Sequence, residues 1–244
     1  MMPNRPALIY VAIGSLNQGG AEQHLLRVMP ALDRAQFDIK IITLFETGAL
    51  VDPVQQAGLE VLSSPCVFTG TAWLNRMLCR HKLGRGLLML GSFLWLWSLI
   101  IRRRPKILHF FLPTAYIIGA FAGLLALHPC MIMSRRSRNH YMKSSRFFSR
   151  IEPWLHKHMR MVLGNSKAVM ADLAAEGIAK DRLELIYNGI DVRSYKTSDL
   201  QNSSRPLTMI KTANLIPYKG HSDLIQALSQ FDQEVSDWRM LIVG

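Results

Sequence analysis

Short apolar runs alternate with longer helical patterns along most of this chain, and this alternation constrains its fold more than any other feature. The apolar runs have the length and composition of strands, and the segments between them have the period of helices. The runs in the first part of the chain are residues 7–13, 37–44, 59–64, 106–111, 130–134, 161–166 and 183–188. The alternation predicts an α/β fold in which a parallel sheet is covered by helices on both faces.

The apolar period is lost in residues 191–206, which are rich in Ser, Asn and Asp and therefore typical of a linker. A further strand, helix and strand are predicted after it. We expect a first domain over residues 1–190, a linker over residues 191–206 and the start of a second domain over residues 207–244. One strand and helix pair is too little for an independent core, so this part is expected either to pack on the first domain or to belong to a longer chain.

The positive charge of the chain is concentrated in one region. The chain has 29 Lys and Arg against 17 Asp and Glu, a formal net charge of +12. No acidic residue occurs between Glu60 and Glu152, and this span carries 14 of the basic residues. A one-sided charge of this kind favours an anionic partner, either nucleic acid, anionic lipid or a phosphorylated substrate. Nucleic acid is disfavoured, because the sequence has no zinc finger, RNA-recognition signature or basic helix with interleaved aromatic residues.

An apolar helix within this basic span favours lipid. Residues 86–101 are sixteen uncharged, mostly apolar residues that include Trp95 and Trp97, and three arginines follow them directly. Sixteen helical residues span roughly 24 Å, less than the hydrocarbon core of a bilayer, so a full crossing is not expected. Two interpretations stay open, and they are compatible. The helix is buried against a sheet, or it lies in the membrane interface with Trp and Leu inserted and Arg102, Arg103 and Arg104 on phosphates.

The compartment predicted from the sequence is the cytoplasm. Three widely spaced cysteines indicate neither a disulfide framework nor a zinc site. The apolar run at the N-terminus is only seven residues long and is badly flanked for a secretory signal, so it is interpreted as the first strand.

The loop after that first strand contains the pair Gly19 and Gly20, directly before a predicted helix. A glycine pair between a parallel strand and a helix lets an anionic group approach the N–H groups of the first helical turn. The alternative is a tight turn in which Glu22 interacts with the helix start. No G-x-G-x-x-G surrounds the pair, so this is not a dinucleotide fingerprint.

Several motifs occur in an order that is more specific than any one of them. They are GGAEQHLL (19–26), PKILHFFLPTAY (105–116), NSKAVMADLAAEGI (165–178), LIYNGIDV (185–192) and ANLIPYKGHSDLIQAL (213–228). Together they closely resemble the family-4 retaining glycosyltransferases. The resemblance implies a GT-B fold of two Rossmann-like domains, the first holding the acceptor and the second holding most of the nucleotide sugar. It implies no cofactor, and no Asp-x-Asp metal motif is present.

The resemblance assigns the donor contacts. Gly19 and Gly20 correspond to the loop that approaches the donor diphosphate, and Glu22 helps to set the helix start. Lys219 corresponds to the lysine that neutralises the leaving diphosphate, although an ordinary surface lysine is the alternative. Asn214 stands where the family commonly has an arginine, so donor affinity or the choice of nucleotide sugar is expected to differ.

His109 corresponds to the first histidine of the family's His-x-His strand end, and Phe111 replaces the second, which is more often catalytic. His109 lies at the end of a predicted parallel strand, where ligands collect in open α/β sheets. We expect His109 either to contact the transferred sugar or to lie under a loop with its hydrogen bonds satisfied by the fold. A missing protein base does not exclude activity, because the leaving phosphate can take up the acceptor proton in a retaining reaction.

The acceptor contacts are predicted from a basic loop. Arg135, Arg136 and Arg138 start where another parallel strand ends, and they could clamp an anionic acceptor. The alternative is a solvated charged loop. Asn188, Gly189 and Asp191 correspond to the family's turn into the interdomain linker, an architectural role.

The expected function is a retaining glycosyltransferase of the hexosyltransferase type. It would move a sugar from a nucleotide diphosphate to a lipid-linked or surface-polysaccharide acceptor such as lipopolysaccharide, on the inner face of the cytoplasmic membrane. The family's E-x7-E glutamate pair lies far along its C-terminal domain, in a region that the 244 residues do not reach, so most of the donor site is expected to be missing. The alternatives are a non-catalytic membrane-associated binding module and a sugar-nucleotide epimerase of similar shape.

Overall fold

A computed structural model describes residues 5–66, 81–138, 146–190, 192–194, 207–216, 219–230 and 238–244. The chain divides into two compact units, residues 1–190 and 191–244. This division falls at the start of the predicted linker, of which residues 191 and 195–206 lie outside the described residues.

Among the described residues of the first unit, seven strands form a single sheet. They are β1 (Ala7–Ile13), β2 (Phe37–Thr43), β3 (Glu60–Ser63), β4 (Ile107–Phe111), β5 (Met131–Arg135), β6 (Met161–Gly164) and β7 (Leu183–Leu185). Their order is β3-β2-β1-β4-β5-β6-β7, and every neighbouring pair is parallel. The predicted α/β fold with a parallel sheet is therefore confirmed, and its strand order is that of a Rossmann-like domain.

Helices follow the strands in alternation. They are α1 (Gly20–Val28), α2 (Val51–Gln56), α3 (Lys82–Arg103), α4 (Pro113–Leu125), α5 (Arg146–His156) and α6 (Lys167–Ala175). Short 3-10 turns lie at Met29–Ala31, Lys180–Arg182 and Val192–Ser194.

The sheet separates two apolar cores because alternate residues of a strand point to opposite faces. In β1, Val11 and Ile13 pack with α1 and α2, whereas Tyr10 and Ala12 pack with α3 and α4. All four side chains are at most 1% exposed. The near-continuous apolar composition of the central strands follows from this burial on both faces.

Helix α3 is longer than the predicted apolar segment. It has 22 residues and a length of about 33 Å at 1.5 Å per residue. Trp95 and Trp97 are partly buried and pack on the core beneath the sheet. The expectation that these two Trp side chains insert into a membrane is therefore wrong, because the fold already uses them.

After β1 the chain adds β2 and β3 on one side of that strand, and it then crosses back to add β4 on the other side. Strand β1 pairs with β2 on one side and with β4 on the other. Helix α1, after β1, belongs to one core and α4, after β4, belongs to the other. The loops after these two neighbouring strands therefore diverge, which opens a crevice at the carboxyl edge of the sheet. This is the topological switch point, where open α/β sheets bind ligands.

The second unit contains β8 (Leu207–Thr212), α7 (His221–Ser229) and β9 (Trp238–Val243) in its described residues. Strands β8 and β9 are parallel and pair in register from Leu207 with Trp238 to Thr212 with Val243. The unit is thus the predicted strand, helix and strand.

Candidate functional site

The loop after β1 is held by backbone hydrogen bonds to the loop after β2. The Leu16 amide donates to the Thr47 carbonyl at 3.1 Å, and the Leu50 amide donates to the Leu16 carbonyl at 2.8 Å. Gly48 has φ of +84°, and a Cβ at this position would collide with the Leu16 backbone. A glycine is therefore required at position 48 to let the two loops approach, and their contact fixes the chain that leads to Gly19.

Helix α1 begins at Gly20, with Gly19 as an extended N-cap that provides no side-chain cap. Glu22 is buried in the first turn, and its carboxylate lies against Gly19 and accepts a hydrogen bond from its own backbone amide. Burial raises the pKa of the Glu22 carboxyl above its ordinary value. A Cβ at Gly20 would meet no atom within 4 Å, so the backbone there is open to an approaching group. The structure thus places Glu22 at the helix start and leaves the Gly20 backbone accessible, and the contact with a diphosphate stays a prediction.

His109 lies in β4, one strand from Gly19 at the same edge. Its Nε2 atom is 2.8 Å from the buried Ser134 hydroxyl, and its ring lies 4.5 Å from the Phe111 ring. Burial, followed by the charges of Arg136 and His24, lowers the pKa of His109 to about 3. His109 is therefore neutral near pH 7. Such a weak base is poorly suited to proton abstraction, but its ring can hydrogen-bond a sugar hydroxyl.

His24 belongs to the same cluster, and the sequence analysis missed it. The side chain lies on the inner face of α1, is 7% exposed, and its ring centroid is 6.5 Å from that of Phe111. Its Nδ1 atom is buried and has no hydrogen-bond partner among the described residues. Burial, followed by the charges of Arg136 and Arg27, lowers the pKa of His24 to about 4. Its place one turn after the Gly-Gly pair is the signal that could have identified it.

Arg136 lies beside these histidines without a compensating carboxylate among the described residues. Its Nη1 atom donates to the Asn188 side-chain oxygen at 2.6 Å, and its Cζ atom lies 5.3 Å from the Phe111 ring centroid. The buried Nε atom has no hydrogen-bond partner in the described part of the chain. Burial lowers the pKa of Arg136 to about 10, which leaves the guanidinium protonated at neutral pH. Asn188, predicted to be architectural, thus orients a cation of the site.

Arg135 has different surroundings. Its side chain is 2% exposed, and it donates to both Glu176 carboxylate oxygens, at 2.6 and 2.8 Å, and to the buried Glu152 at 3.2 Å. His156 joins the cluster and bonds the Tyr116 hydroxyl at 2.8 Å. The prediction that Arg135 clamps an acceptor is therefore wrong, because two carboxylates of the fold already neutralise it.

Arg138 is the third predicted clamp residue, and it lies at the surface. It is 60% exposed and forms a two-pronged ion pair with Asp172, at 3.0 and 3.2 Å. Hydrogen bonding and attraction to Asp172 raise the pKa of Arg138. The Arg138 guanidinium remains reachable, but a ligand would have to compete with Asp172.

The predicted donor residues of the second unit, Asn214 and Lys219, lie in the loop between β8 and α7. The Asn214 carbonyl accepts a hydrogen bond from His221 Nε2 at 3.0 Å, and its side chain is exposed. The Lys219 side chain is exposed next to Gly220, the N-cap of α7, which has φ of +66°. Both residues therefore lie at the carboxyl end of a parallel strand, where a helix starts.

A comparison of the sequence with protein-family models assigns the chain to a family. A model described as Glycosyltransferase Family 4 matches residues 18–194, which include the whole cluster around Arg136. The chain belongs to Glycosyltransferase Family 4. The predicted family is therefore confirmed. A comparison with curated proteins finds no match.

Several solved structures share the fold of this family-4 chain. Anabaena HepE in complex with UDP and glucose has a TM-score of 0.72 and 20% identity, over 98% of this chain and 61% of HepE. The lipopolysaccharide outer core galactosyltransferase WaaB has a TM-score of 0.63 and 11% identity, over 96% of this chain and 60% of WaaB. A glycosyltransferase from Rickettsia africae has a TM-score of 0.62 and 16% identity, over 99% of this chain and 61% of that protein. The chain thus spans about three fifths of each of these proteins.

A UDP-N-acetylglucosamine 2-epimerase also has this fold, with a TM-score of 0.57 and 11% identity over 96% of this chain and 63% of the epimerase. The fold therefore does not separate transferases from epimerases, whereas the family match favours a transferase. Within the described residues of this family-4 chain, no three His, Cys, Asp or Glu side chains come close enough to hold a metal ion.

Proposed function

We propose that this family-4 chain takes part in transferring a hexose from a nucleotide diphosphate to a lipid-linked or surface-polysaccharide acceptor, with retention of the anomeric configuration. The observation that carries the proposal is the Arg136 guanidinium beside His24 and His109, at the carboxyl edge of the sheet, which has no carboxylate partner among the described residues. A half-buried cation of this kind favours an anionic ligand, because the ligand supplies the charge and the hydrogen bond that the described residues do not.

The donor contacts in the first unit are Gly19 and Gly20. An open backbone at the start of α1 allows a phosphate oxygen to reach the first N–H groups of the helix, where the helix dipole is also favourable. The Glu22 carboxylate already occupies the Gly19 side of this helix start. The approach is therefore from the Gly20 side, where nothing lies in the way.

The donor contacts proposed in the second unit are Lys219 and Asn214. An exposed ammonium beside the N-cap of α7 suits a leaving diphosphate, whose negative charge grows as the sugar departs. The Asn214 side chain is an uncharged donor at the end of β8, so it would hydrogen-bond the nucleotide without adding charge.

In the proposed reaction, the bond between the anomeric carbon and the diphosphate oxygen breaks, and the acceptor oxygen bonds the carbon on the same face of the ring. The acceptor proton passes to an oxygen of the leaving diphosphate. The role of His109 is to hold a sugar hydroxyl as a neutral hydrogen-bonding group, because its pKa of about 3 makes it a poor base.

The acceptor contacts are Arg136 and, at the surface, Arg138. The half-buried Arg136 guanidinium offers N–H groups to a phosphate or carboxylate, and the Phe111 ring below it keeps it in place. A lipid-linked phosphate or a charged glycan core has the required charge. No cofactor enters this scheme.

The test begins with calorimetric titration of UDP-glucose, UDP-galactose and GDP-mannose into the chain. Release of the nucleotide diphosphate is then measured with a bacterial membrane lipid extract as the source of acceptor. Lys219→Gln should weaken donor binding about tenfold or more, the effect of one charge-assisted hydrogen bond. Arg136→Gln should reduce nucleotide release and leave donor affinity unchanged. The matched control is Lys180→Gln, a surface cation outside the site.

Two outcomes would contradict the proposal. If no donor binds, or if Lys219→Gln and Lys180→Gln behave alike, the donor assignment is wrong. If a donor binds but is never turned over, the alternative function, a membrane-associated binding module, replaces the transferase.

A further inference from the structure

Helix α3 carries a line of large apolar side chains that are exposed in the structure. Leu83, Leu87, Leu90, Leu94 and Ile101 are 78, 54, 51, 47 and 43% exposed. Their spacings of four, three, four and seven residues place them on one side of a helix, one above the other. A contiguous apolar surface of this length is unusual on a soluble monomer and marks an interaction site.

The opposite side of α3 packs in the apolar core. Leu88, Leu96 and Ile100 are at most 6% exposed, and the buried Ser92 hydroxyl donates to the Leu44 carbonyl at 2.8 Å. The exposed line is therefore additional to the apolar residues that the fold requires. The helix is apolar on both sides but packed on only one.

The apolar line continues past the end of α3. Ile101 and Leu127 line one cavity of about 540 Å³, together with Arg104 and Lys106. The Leu127 side chain is 89% exposed, and its φ of +51° is a conformation that leucine rarely adopts. A leucine held there in water adds nothing to the core. We call Leu83, Leu87, Leu90, Leu94, Ile101 and Leu127 the apolar stripe.

Basic side chains lie at both ends of the stripe. Arg85 is exposed near its start, and Arg102, Arg103, Arg104 and Lys106 are exposed near its end. No acidic residue occurs in the surrounding sequence from 61 to 151. A second copy of the chain packed on this stripe, in either direction, would bring like charges together at the ends. An anionic bilayer instead supplies both the apolar interior and the negative charge.

The geometry points to α3 lying flat in the interface of an anionic membrane, with the apolar stripe inserted and the flanking arginines on lipid phosphates. By length and composition α3 could cross a bilayer. The contacts of Ser92, Leu96 and Ile100 with the sheet argue against a crossing, because insertion would pull this side out of the core. Contact with the inner face of the cytoplasmic membrane is thus made by the stripe and does not involve Trp95 or Trp97.

This membrane contact does not depend on the proposed transfer reaction. Helix α3 packs on α4 and, through Leu96 and Ile100, on the core beneath the sheet. Contact through its exposed side would hold this unit at the surface along which membrane-anchored substrates diffuse.

The test is flotation of the full chain with two kinds of vesicle, phosphatidylcholine alone and phosphatidylcholine with phosphatidylglycerol in equal parts. The wild type should float with the anionic vesicles. The triple variant Leu87→Ser, Leu90→Ser and Leu94→Ser should lower the partition coefficient on the order of a hundredfold, because three exposed leucines no longer insert. Removing cations with Arg102→Gln and Arg104→Gln should lower it about fivefold for each arginine, on anionic vesicles only.

Matched controls change the same number of exposed groups elsewhere. One control combines Leu32→Ser, Ile186→Ser and Leu215→Ser, which removes three exposed apolar side chains. The other combines Lys167→Gln and Lys180→Gln, which removes two cations. Both control variants should float like the wild type. Circular dichroism verifies that each variant is folded. Failure of the wild type to float with anionic vesicles overturns the proposal, as does equal flotation of the wild type and the stripe variant. A dimer in light scattering that the stripe variant abolishes, without any lipid binding, assigns the stripe to a second copy instead.

Discussion

Arg135 and Arg136 are consecutive residues at the end of β5, yet among the residues that the structure describes only Arg135 pairs with carboxylates. Arg135 is 2% exposed and pairs with Glu152 and Glu176. Arg136 has an amide oxygen and an aromatic face as its described partners. Because the two side chains leave the strand on opposite sides, a single residue step separates a structural cation from a cation suited to a ligand.

Replacing Arg135 should lower the stability of the fold much more than replacing Arg136. Arg135→Gln leaves the buried Glu152 and the partly buried Glu176 without their cation, which should lower the free energy of unfolding by about 3 to 5 kcal/mol. Arg136→Gln breaks no ion pair that the described residues form, so it should change that energy by about 1 kcal/mol or less. Urea unfolding followed by circular dichroism measures both. Equal destabilisation by the two variants would show that Arg136 is also a structural cation.

The histidine cluster should make stability depend on pH. His24 has a pKa of about 4 in the folded chain against an ordinary 6.5, so the unfolded chain binds the proton first as pH falls. The stabilising contribution of His24 is therefore complete above pH 6.5 and is lost progressively between pH 6.5 and 4. The loss should reach up to about 3 kcal/mol. His24→Gln should remove this part of the dependence in urea unfolding at several pH values, and an unchanged slope would contradict the assignment.

Gly48 should be much less tolerant of alanine than Gly177, although both have similar positive φ values of +84° and +87°. Alanine costs about 1 to 2 kcal/mol in this conformation at either site. At Gly48 the new Cβ also collides with the Leu16 backbone, whereas at Gly177 it meets no atom within 4 Å. Gly48→Ala should therefore lose at least about 2 kcal/mol more in urea unfolding. Similar losses at both glycines would mean that the contact between the two loops is not needed.

Gly20→Ala should separate binding from folding. An alanine there meets no neighbour, and alanine is favoured over glycine in a helix by up to about 1 kcal/mol, so stability should be unchanged or slightly higher. Its methyl group would block a phosphate oxygen from the first amides of α1. We expect UDP to bind about tenfold more weakly in a calorimetric titration. Unchanged affinity would place the diphosphate away from this helix start.

The sequence was sufficient to predict the sheet. The spacing of apolar runs required a parallel sheet, and residues in those runs, such as Val11 and Ile42, are buried in the two cores. Apolar periodicity reports burial directly, so this part of the fold follows from local pattern. The family resemblance added the position of the Gly-Gly loop and of His109.

The electrostatic partners could not be predicted in the same way. Glu152 and Glu176 lie 17 and 41 residues beyond Arg135, and only the packing of α5 and α6 on β5 brings them together. The sequence shows three arginines in a loop but not which of them meets a carboxylate. His24 was missed for the same reason, because the Arg136 charge that acts on it comes from a distant strand. The two Trp side chains of α3 were misassigned because composition does not show which side of an apolar helix is packed.

The carboxylates that neutralise Arg135 also set an order of assembly during synthesis. The strand that ends at Arg135 leaves the ribosome before either partner exists, and its guanidinium must stay hydrated until Glu176 has emerged. Because an unpaired arginine is costly to bury, we expect the Arg135 end of β5 to stay hydrated on a nascent chain that ends before Glu176. The ion cluster thus couples the burial of β5 to the formation of α6.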